Sequence, residues 1–212
     1  MKIKWFGHSC FLITSDKGIK IVTDPFDETV GYKLPDVETN IVSTSHEHYD
    51  HNNAGIFKGT PVLVKGSGRI NIKGIELTGV ETFHDEDAGK KRGLNTVFKF
   101  ELDGLNVCHL GDLGHILTSG QVKELGKVDI LLTPVGGIYT IDHIGAVKVM
   151  EILQPAVTIP MHYKTKALKF SLSRVDEFLD LVGDYKKVDG TEIEISRKNI
   201  GDCAKVVVLD YK

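Results

Sequence analysis

The segment Ser45-His46-Glu47-His48-Tyr49-Asp50-His51 places three histidines and an aspartate within six positions, directly after the short apolar run Ile41–Ser45. Random placement of residues would yield the pattern His-x-His-x-Asp-His in such a chain only roughly once in a thousand. Imidazole nitrogens and carboxylates are the ligand set that holds a divalent metal such as zinc, at about 2.0–2.2 Å. On an extended segment His46 and His48 fall on the same side, and Asp50 and His51, past a bend, can reach a second point nearby. The plain alternative is a surface histidine-rich loop with incidental metal affinity.

The rest of the chain supplies the frame. Lys2–Phe6, Phe11–Thr14 and Ile19–Thr23 are β-branched and aromatic runs joined by turn residues, which predicts an antiparallel meander. Further strands are expected at Pro61–Lys65, Ile75–Val80, Thr96–Leu102, Asn106–Leu110, Asp129–Thr133, Ala156–Pro160, Glu192–Ile195 and Lys205–Leu209. Asp103-Gly104 is a strong hairpin signal. A helix is expected from Asp142 to Leu153, with Asp142 as N-cap, Pro155 beyond the end, and Ile144, Val147, Met150 and Leu153 along one face. A second is expected from about Ser173 to Val182, with Val175, Phe178, Leu179 and Val182 inward and Gly183 as the stop. Strands come first, then strands alternating with helices, which predicts one compact α/β domain over residues 1–212.

Three more ligand-type residues each follow one of these strands. His84 ends Glu81-Thr82-Phe83-His84, Asp112 ends His109-Leu110-Gly111-Asp112, and His162 ends Ile159-Pro160-Met161-His162. In order, spacing and strand context the chain resembles the metallo-β-lactamase superfamily. Gly7-His8-Ser9-Cys10-Phe11-Leu12-Ile13, Thr23-Asp24-Pro25-Phe26 and Thr133-Pro134-Val135-Gly136-Gly137 are similar to its compact branch, which includes ascorbate-6-phosphate lactonase and many hydrolases without an assigned substrate.

The resemblance implies an αββα sandwich: two mixed sheets flanked by helices. It implies two ions per chain, Zn2+ first, with Mn2+ or Fe2+ as alternatives. One ion falls to His46, His48 and His84, the other to Asp50, His51 and His162, with Asp112 shared. Seven ligands for two ions leave coordination positions open, as catalytic sites do. The implied activity is hydrolysis of a small ester-like substrate, a lactone or a phosphodiester, by a metal-activated water. Asp50 can also orient the nucleophile or receive a proton. Leu113 stands where a threonine is common in the superfamily, but the ligand is Asp112, so the metals should be unaffected.

Other residues carry two readings each. His8, in the first turn, is either a group facing the site or a structural imidazole. Asp24, before Pro25, is either a turn device or a support that orients a metal ligand. His109 reads as core, His115 as a pocket-rim residue or neither, and His143 as exposed. Arg92 and Asn95 lie in a loop with the chemistry for an anionic group, Tyr139 is a similar candidate, and Asp85-Glu86-Asp87 reads as a solvated acidic loop.

Charge and composition set limits on function. With a net charge of −3 and a pI near 6.3, the chain has no basic stripe of the kind that marks nucleic-acid binders. That weighs against the second reading, an RNA-processing nuclease of the same superfamily, and in favour of a small-molecule substrate. A flavin-linked di-iron reductase carries a glutamate where this chain has His48. A non-catalytic metal-binding protein is the remaining alternative, and an oligomer is open. The three cysteines, Cys10, Cys108 and Cys203, are far apart and form no CxxC pair, as expected among reducing thiols. No apolar stretch approaches the roughly 20 residues that span a bilayer, and the N-terminal run is broken by Lys4, Gly7, His8 and Ser9. A cytoplasmic location without a membrane partner is the expectation.

Overall fold

The computed structural model describes residues 1–211. Two mixed sheets face each other. The first takes β1 (Lys2–Gly7), β2 (Cys10–Thr14), β3 (Lys20–Thr23), β4 (Ile41–Thr44), β5 (Val62–Lys65) and the late β13 (Glu192–Glu194), in the order β13-β1-β2-β3-β4-β5. The second takes β6 (Gly68–Ile72), β7 (Ile75–Phe83), β8 (Leu94–Leu102), β9 (Leu105–His109), β10 (Ile130–Pro134), β11 (Val157–Met161), β12 (Tyr185–Lys187) and β14 (Val206–Val208), in the order β12-β14-β11-β10-β9-β8-β7-β6. The expected meander is present: β1, β2 and β3 pair antiparallel, and β4 and β5 then add in parallel. In the second sheet β6 to β9 are antiparallel and β9, β10, β11 and β14 are parallel.

Period-two patterning explains the sandwich. Ile3 and Trp5 in β1, Ile13 in β2 and Ile21 in β3 are buried and meet Leu77, Phe98, Phe100, Val107 and Leu132 from the facing sheet in one apolar cluster. At the β8–β9 hairpin, Asp103 (φ 52°) and Gly104 (φ 72°) are both left-handed and Leu102 pairs with Leu105, the two-residue turn that Asp-Gly predicts.

Helices are few. α1 (Ser119–Leu125) was not foreseen; it opens on a reciprocal cap in which Thr118 Oγ1 accepts from the Gln121 N–H and the Gln121 side chain accepts from the Thr118 N–H. α2 (His143–Leu153) has Asp142 as N-cap, as expected. Its buried face differs from expectation, however: Gly145, Ala146, Val149 and Leu153 are buried, whereas Ile144 is 49 % exposed. Residues spaced by three drift around a helix of 3.6 residues per turn, so Ile144 and Leu153 cannot share one narrow face. α3 (Asp176–Val182) starts later than Ser173 and buries Phe178 and Leu179. α1 lies against β7, and α2 against β10 and α3. The outer face of the six-stranded sheet is covered by loops: Val22 and Val42 pack on Phe26, Val30, Phe57, Leu168 and Leu172.

One consequence of this topology governs the rest. β1, β3, β4, β7, β9 and β11 end on His8, Asp24, His46, His84, Asp112 and His162 or within three residues of them. Strand ends from both sheets thus deliver ligand-type side chains to one rim.

Candidate metal centre

Three overlapping groups of donor atoms form where those ends meet. His46, His48 and His84 make one, with ring centroids 4.6 Å, 4.7 Å and 5.1 Å apart, His8, Asp50, His51 and His162 make a second, and Asp24 with His46 and His51 a third that shares a ring with each. Asp112 stands between the first two. Its Oδ2 lies 3.2 Å from His51 Nε2, 3.2 Å from His162 Nε2, 3.3 Å from His84 Nε2 and 4.0 Å from His46 Nε2. One carboxylate oxygen cannot serve four imidazoles as hydrogen-bond donors. Separations near 3.3 Å are those of neighbouring ligands on a common ion with bonds of about 2.0–2.1 Å.

Hydrogen bonding at the far side of two rings supports the same reading. His51 Nδ1 lies 2.9 Å from Asp24 Oδ2; a carboxylate only accepts, so Nδ1 carries a hydrogen and the lone pair of the neutral ring is at Nε2. Ser45 Oγ donates to Asp24 Oδ2 at 2.6 Å and accepts from His46 Nδ1 at 2.9 Å, which puts the lone pair of His46 at Nε2 as well. The Ser45 N–H also donates to Asp24 Oδ1, at 2.8 Å. Asp24 is therefore the support that orients two imidazoles, in addition to ending a strand before Pro25. The sequence marks Ser45 only as a strand end. Among the described residues His46 Nε2, His51 Nε2 and Asp112 Oδ1 are buried with no hydrogen-bond partner, an arrangement that costs free energy unless a cation takes the lone pairs.

Electrostatics agree. Burial lowers the pKa of His46 to about 3 and that of His8 to about 4, so both are neutral imidazoles at pH 7. Burial and the neighbouring His84 also lower His48. Burial opposes ionisation of Asp112 and Asp50, but His162 and His51 beside Asp112, and His51 and His8 beside Asp50, hold both carboxylates ionised. Burial opposes protonation of His51 too, yet Asp112 and Asp50 push its pKa well up. The carboxylates thus call for positive charge at this spot.

His8 Nε2 donates to Asp50 Oδ2 at 3.1 Å, and its ring sits 4.3 Å from that of His162. His8, Asp24 and His162 all adopt left-handed backbone (φ 52°, 41° and 51°), which non-glycine residues rarely do and which concentrates at functional sites. Gly136 has a different reason for being glycine: a Cβ there would lie 2.2 Å from the His162 carbonyl oxygen.

Several readings need correction. Asn95 is buried, donates to Thr82 Oγ1 and the Leu110 carbonyl, and accepts from the Asp112 N–H at 2.9 Å; it braces the Asp112 turn and is not available to a ligand. His115 does not line the pocket, because its ring nitrogens engage the Phe83 N–H and the Ile116 carbonyl. His143 is half-buried, 3.2 Å from Glu177. Asp85 is buried, not solvated: its carboxylate accepts from the N–H groups of Asp87, Gly89, Lys91 and Arg92 at 2.8–2.9 Å. His109 is core, as expected, with Nε2 2.8 Å from the Ser9 carbonyl oxygen.

The centre opens into a cavity of about 340 Å³ lined by His48, Asp50, Asp112, Arg92 and the aromatic rings of Tyr49, Tyr139 and Phe170. The volume is that of a small-molecule site. Tyr49 and Phe170 carried no sequence signal that set them apart from other surface aromatics.

A family model described as the β-lactamase superfamily domain matches residues 2–162. A UPF0173 metal-dependent hydrolase of Archaeoglobus fulgidus is 30 % identical over 78 % of this chain and 84 % of its own length. One from Thermoplasma volcanium is 28 % identical over 91 % of this chain and 97 % of its own length. The crystal structure of a proposed zinc-dependent hydrolase of the metallo-β-lactamase superfamily from Thermotoga maritima superposes with a TM-score of 0.84, at 45 % identity, over 100 % of this chain and 99 % of that one. No helix among the described residues is long and apolar enough to cross a membrane. From the two facing mixed sheets, the shared strand-end rim and a family match covering most of its length, the chain belongs to the metallo-β-lactamase superfamily.

Proposed function

We propose that this metal-dependent hydrolase holds two divalent ions, zinc first, and cleaves a small ester-like bond such as a lactone or phosphodiester. His46, His48 and His84 hold one ion, Asp50, His51 and His162 the other, and Asp112 is shared. The observation that carries this reading is the convergence of four imidazole Nε2 atoms on Asp112 Oδ2, within 4.0 Å. When bound, the ions supply Lewis acidity and bring the pKa of a water toward neutrality.

The chain's own residues do the rest. Asp24 and Ser45 fix the tautomers of His51 and His46. Asp50, half-buried at the cavity, is the residue to orient the attacking water. His8 holds Asp50 in register by its hydrogen bond. His48 stays exposed at the mouth, so substrate approaches the centre from its side. Manganese or iron would suit the same nitrogen and oxygen donors, so metal identity is a matter for analysis of the protein.

The experiment is a substrate panel on protein stripped and reloaded with zinc, manganese or iron: bis-p-nitrophenyl phosphate, lactones, thioesters and RNA. Metal-dependent turnover of a lactone or phosphodiester supports the reading. Turnover of RNA alone would favour a nuclease, and no metal uptake would end the proposal.

A further inference from the structure

Arg92 carries the only permanent positive charge in the cavity wall among the described residues. Its backbone is held in place: the Asp85 carboxylate, next to His84, accepts the Arg92 N–H at 2.8 Å and three more from the same loop. Its guanidinium lies over the Tyr139 ring, 5.3 Å from the centroid. Its one hydrogen bond among the described residues runs from Nη2 to the Ile138 carbonyl at 3.4 Å, which is long, and no carboxylate among those residues pairs with it. A guanidinium offers five donors in a planar fork, so most of this one's are without a protein partner among the described residues, on a side chain that lines the cavity.

The platform under Arg92 is also built. Ile138 is β-branched yet sits at φ 58°, a strained backbone that turns Tyr139 toward the cavity. Tyr139 meets Phe170 edge-on at 6.3 Å, and Phe170 meets His8 edge-on at 5.5 Å, so an aromatic wall runs from Arg92 to the centre. Lys164 Nζ anchors Phe170 by its carbonyl at 2.8 Å.

We propose that Arg92 is the specificity-determining residue of this cavity, and that the substrate is an ester or lactone bearing an oxyanion group, carboxylate or phosphate, on a flat apolar body. The oxyanion binds the Arg92 fork, and the body lies along Tyr139 and Phe170 with the scissile bond at the centre. This inference rests on the hydrolase reading for the identity of the reacting bond, but Arg92 makes its own contact.

The test measures equilibrium binding of 4-hydroxybenzoate, 4-hydroxyphenylphosphonate and neutral 4-hydroxybenzamide to metal-loaded wild type, Arg92→Gln and Arg92→Lys. Wild type is expected to prefer at least one anion over the amide by tenfold or more, and the preferred anion identifies the group. Arg92→Gln loses the preference and Arg92→Lys keeps part of it. The same preparations, assayed on 4-acetoxybenzoate and its methyl ester, should show KM rising tenfold or more for the acid alone. A preference absent from wild type, or equally strong in Arg92→Gln, overturns the proposal. Metal content and methyl-ester turnover report separately on the hydrolase reading.

Discussion

His51 Nδ1 and Asp24 Oδ2 lie 2.9 Å apart with both side chains fully buried. This contact, 27 residues apart in sequence, fixes which nitrogen of His51 faces Asp112 and Asp50. Supports of this kind typically change metal affinity by about 10–100-fold when removed. Asp24→Asn should therefore weaken binding at the Asp50–His51–His162 site by that factor, read by competition with a chromogenic chelator. Unchanged affinity would show that the ring is held by its ligands alone.

His8 should act through Asp50. His8→Ala removes the donor at 3.1 Å from Asp50 Oδ2 and the packing on the His162 ring. A fall in kcat/KM of about 10–100-fold is expected, in the range of support-residue substitutions, with His8→Gln recovering part of it by restoring an N–H. Equal loss in both variants would point to the imidazole itself as a ligand.

Much of this was legible beforehand, and the reason is local. His46, His48, Asp50 and His51 lie within six positions, while His84, Asp112 and His162 each follow an apolar strand whose pattern is plain, so their arrival at one rim follows from type and order. Asp24 was half-legible, because Asp-Pro is also ordinary turn chemistry. Asp85 and Asn95 differ from the sequence expectation for one cause: most of their partners are backbone groups in distant or folded-back segments, and a side chain that satisfies a loop has no periodic signature. The α2 face failed because several registers of apolar residues fit an eleven-residue helix, and the sheet chose Ala146 and Val149.

Gly136 connects β10 to the site. A methyl group at this position meets the His162 carbonyl oxygen at 2.2 Å, and backbone cannot step aside cheaply. Gly136→Ala should cost about 1–3 kcal/mol of stability, as overpacked sites do. It should also displace His162, so that metal at that site falls together with Tm. A stable variant with full metal content would contradict the strand-end account.

Asp129 tests pH dependence away from the centre. Its Oδ2 accepts from the Asn106 N–H and Nδ2 at 2.8 Å each, and Oδ1 pairs with Lys127 at 2.7 Å. Burial opposes ionisation, but Lys127 and Asn106 outweigh it, so the folded pKa is depressed. Its contribution to stability is thus present above the unfolded value of about 3.9 and is lost as pH falls through the folded one. Asp129→Asn should destabilise by about 1–2 kcal/mol at pH 7, and thermal melts should show the gap to wild type narrowing below about pH 4. A gap independent of pH would assign the effect to packing.

The number of ions each chain holds decides whether Asp112 joins two sites. Elemental analysis of wild type reloaded with zinc should give two ions per chain, with one lost in His48→Ala and both sites weakened in Asp112→Ala, the residue whose Oδ2 faces rings from both groups. Fewer than one ion per wild-type chain after exposure to zinc or manganese, or two ions retained in Asp112→Ala, would contradict it.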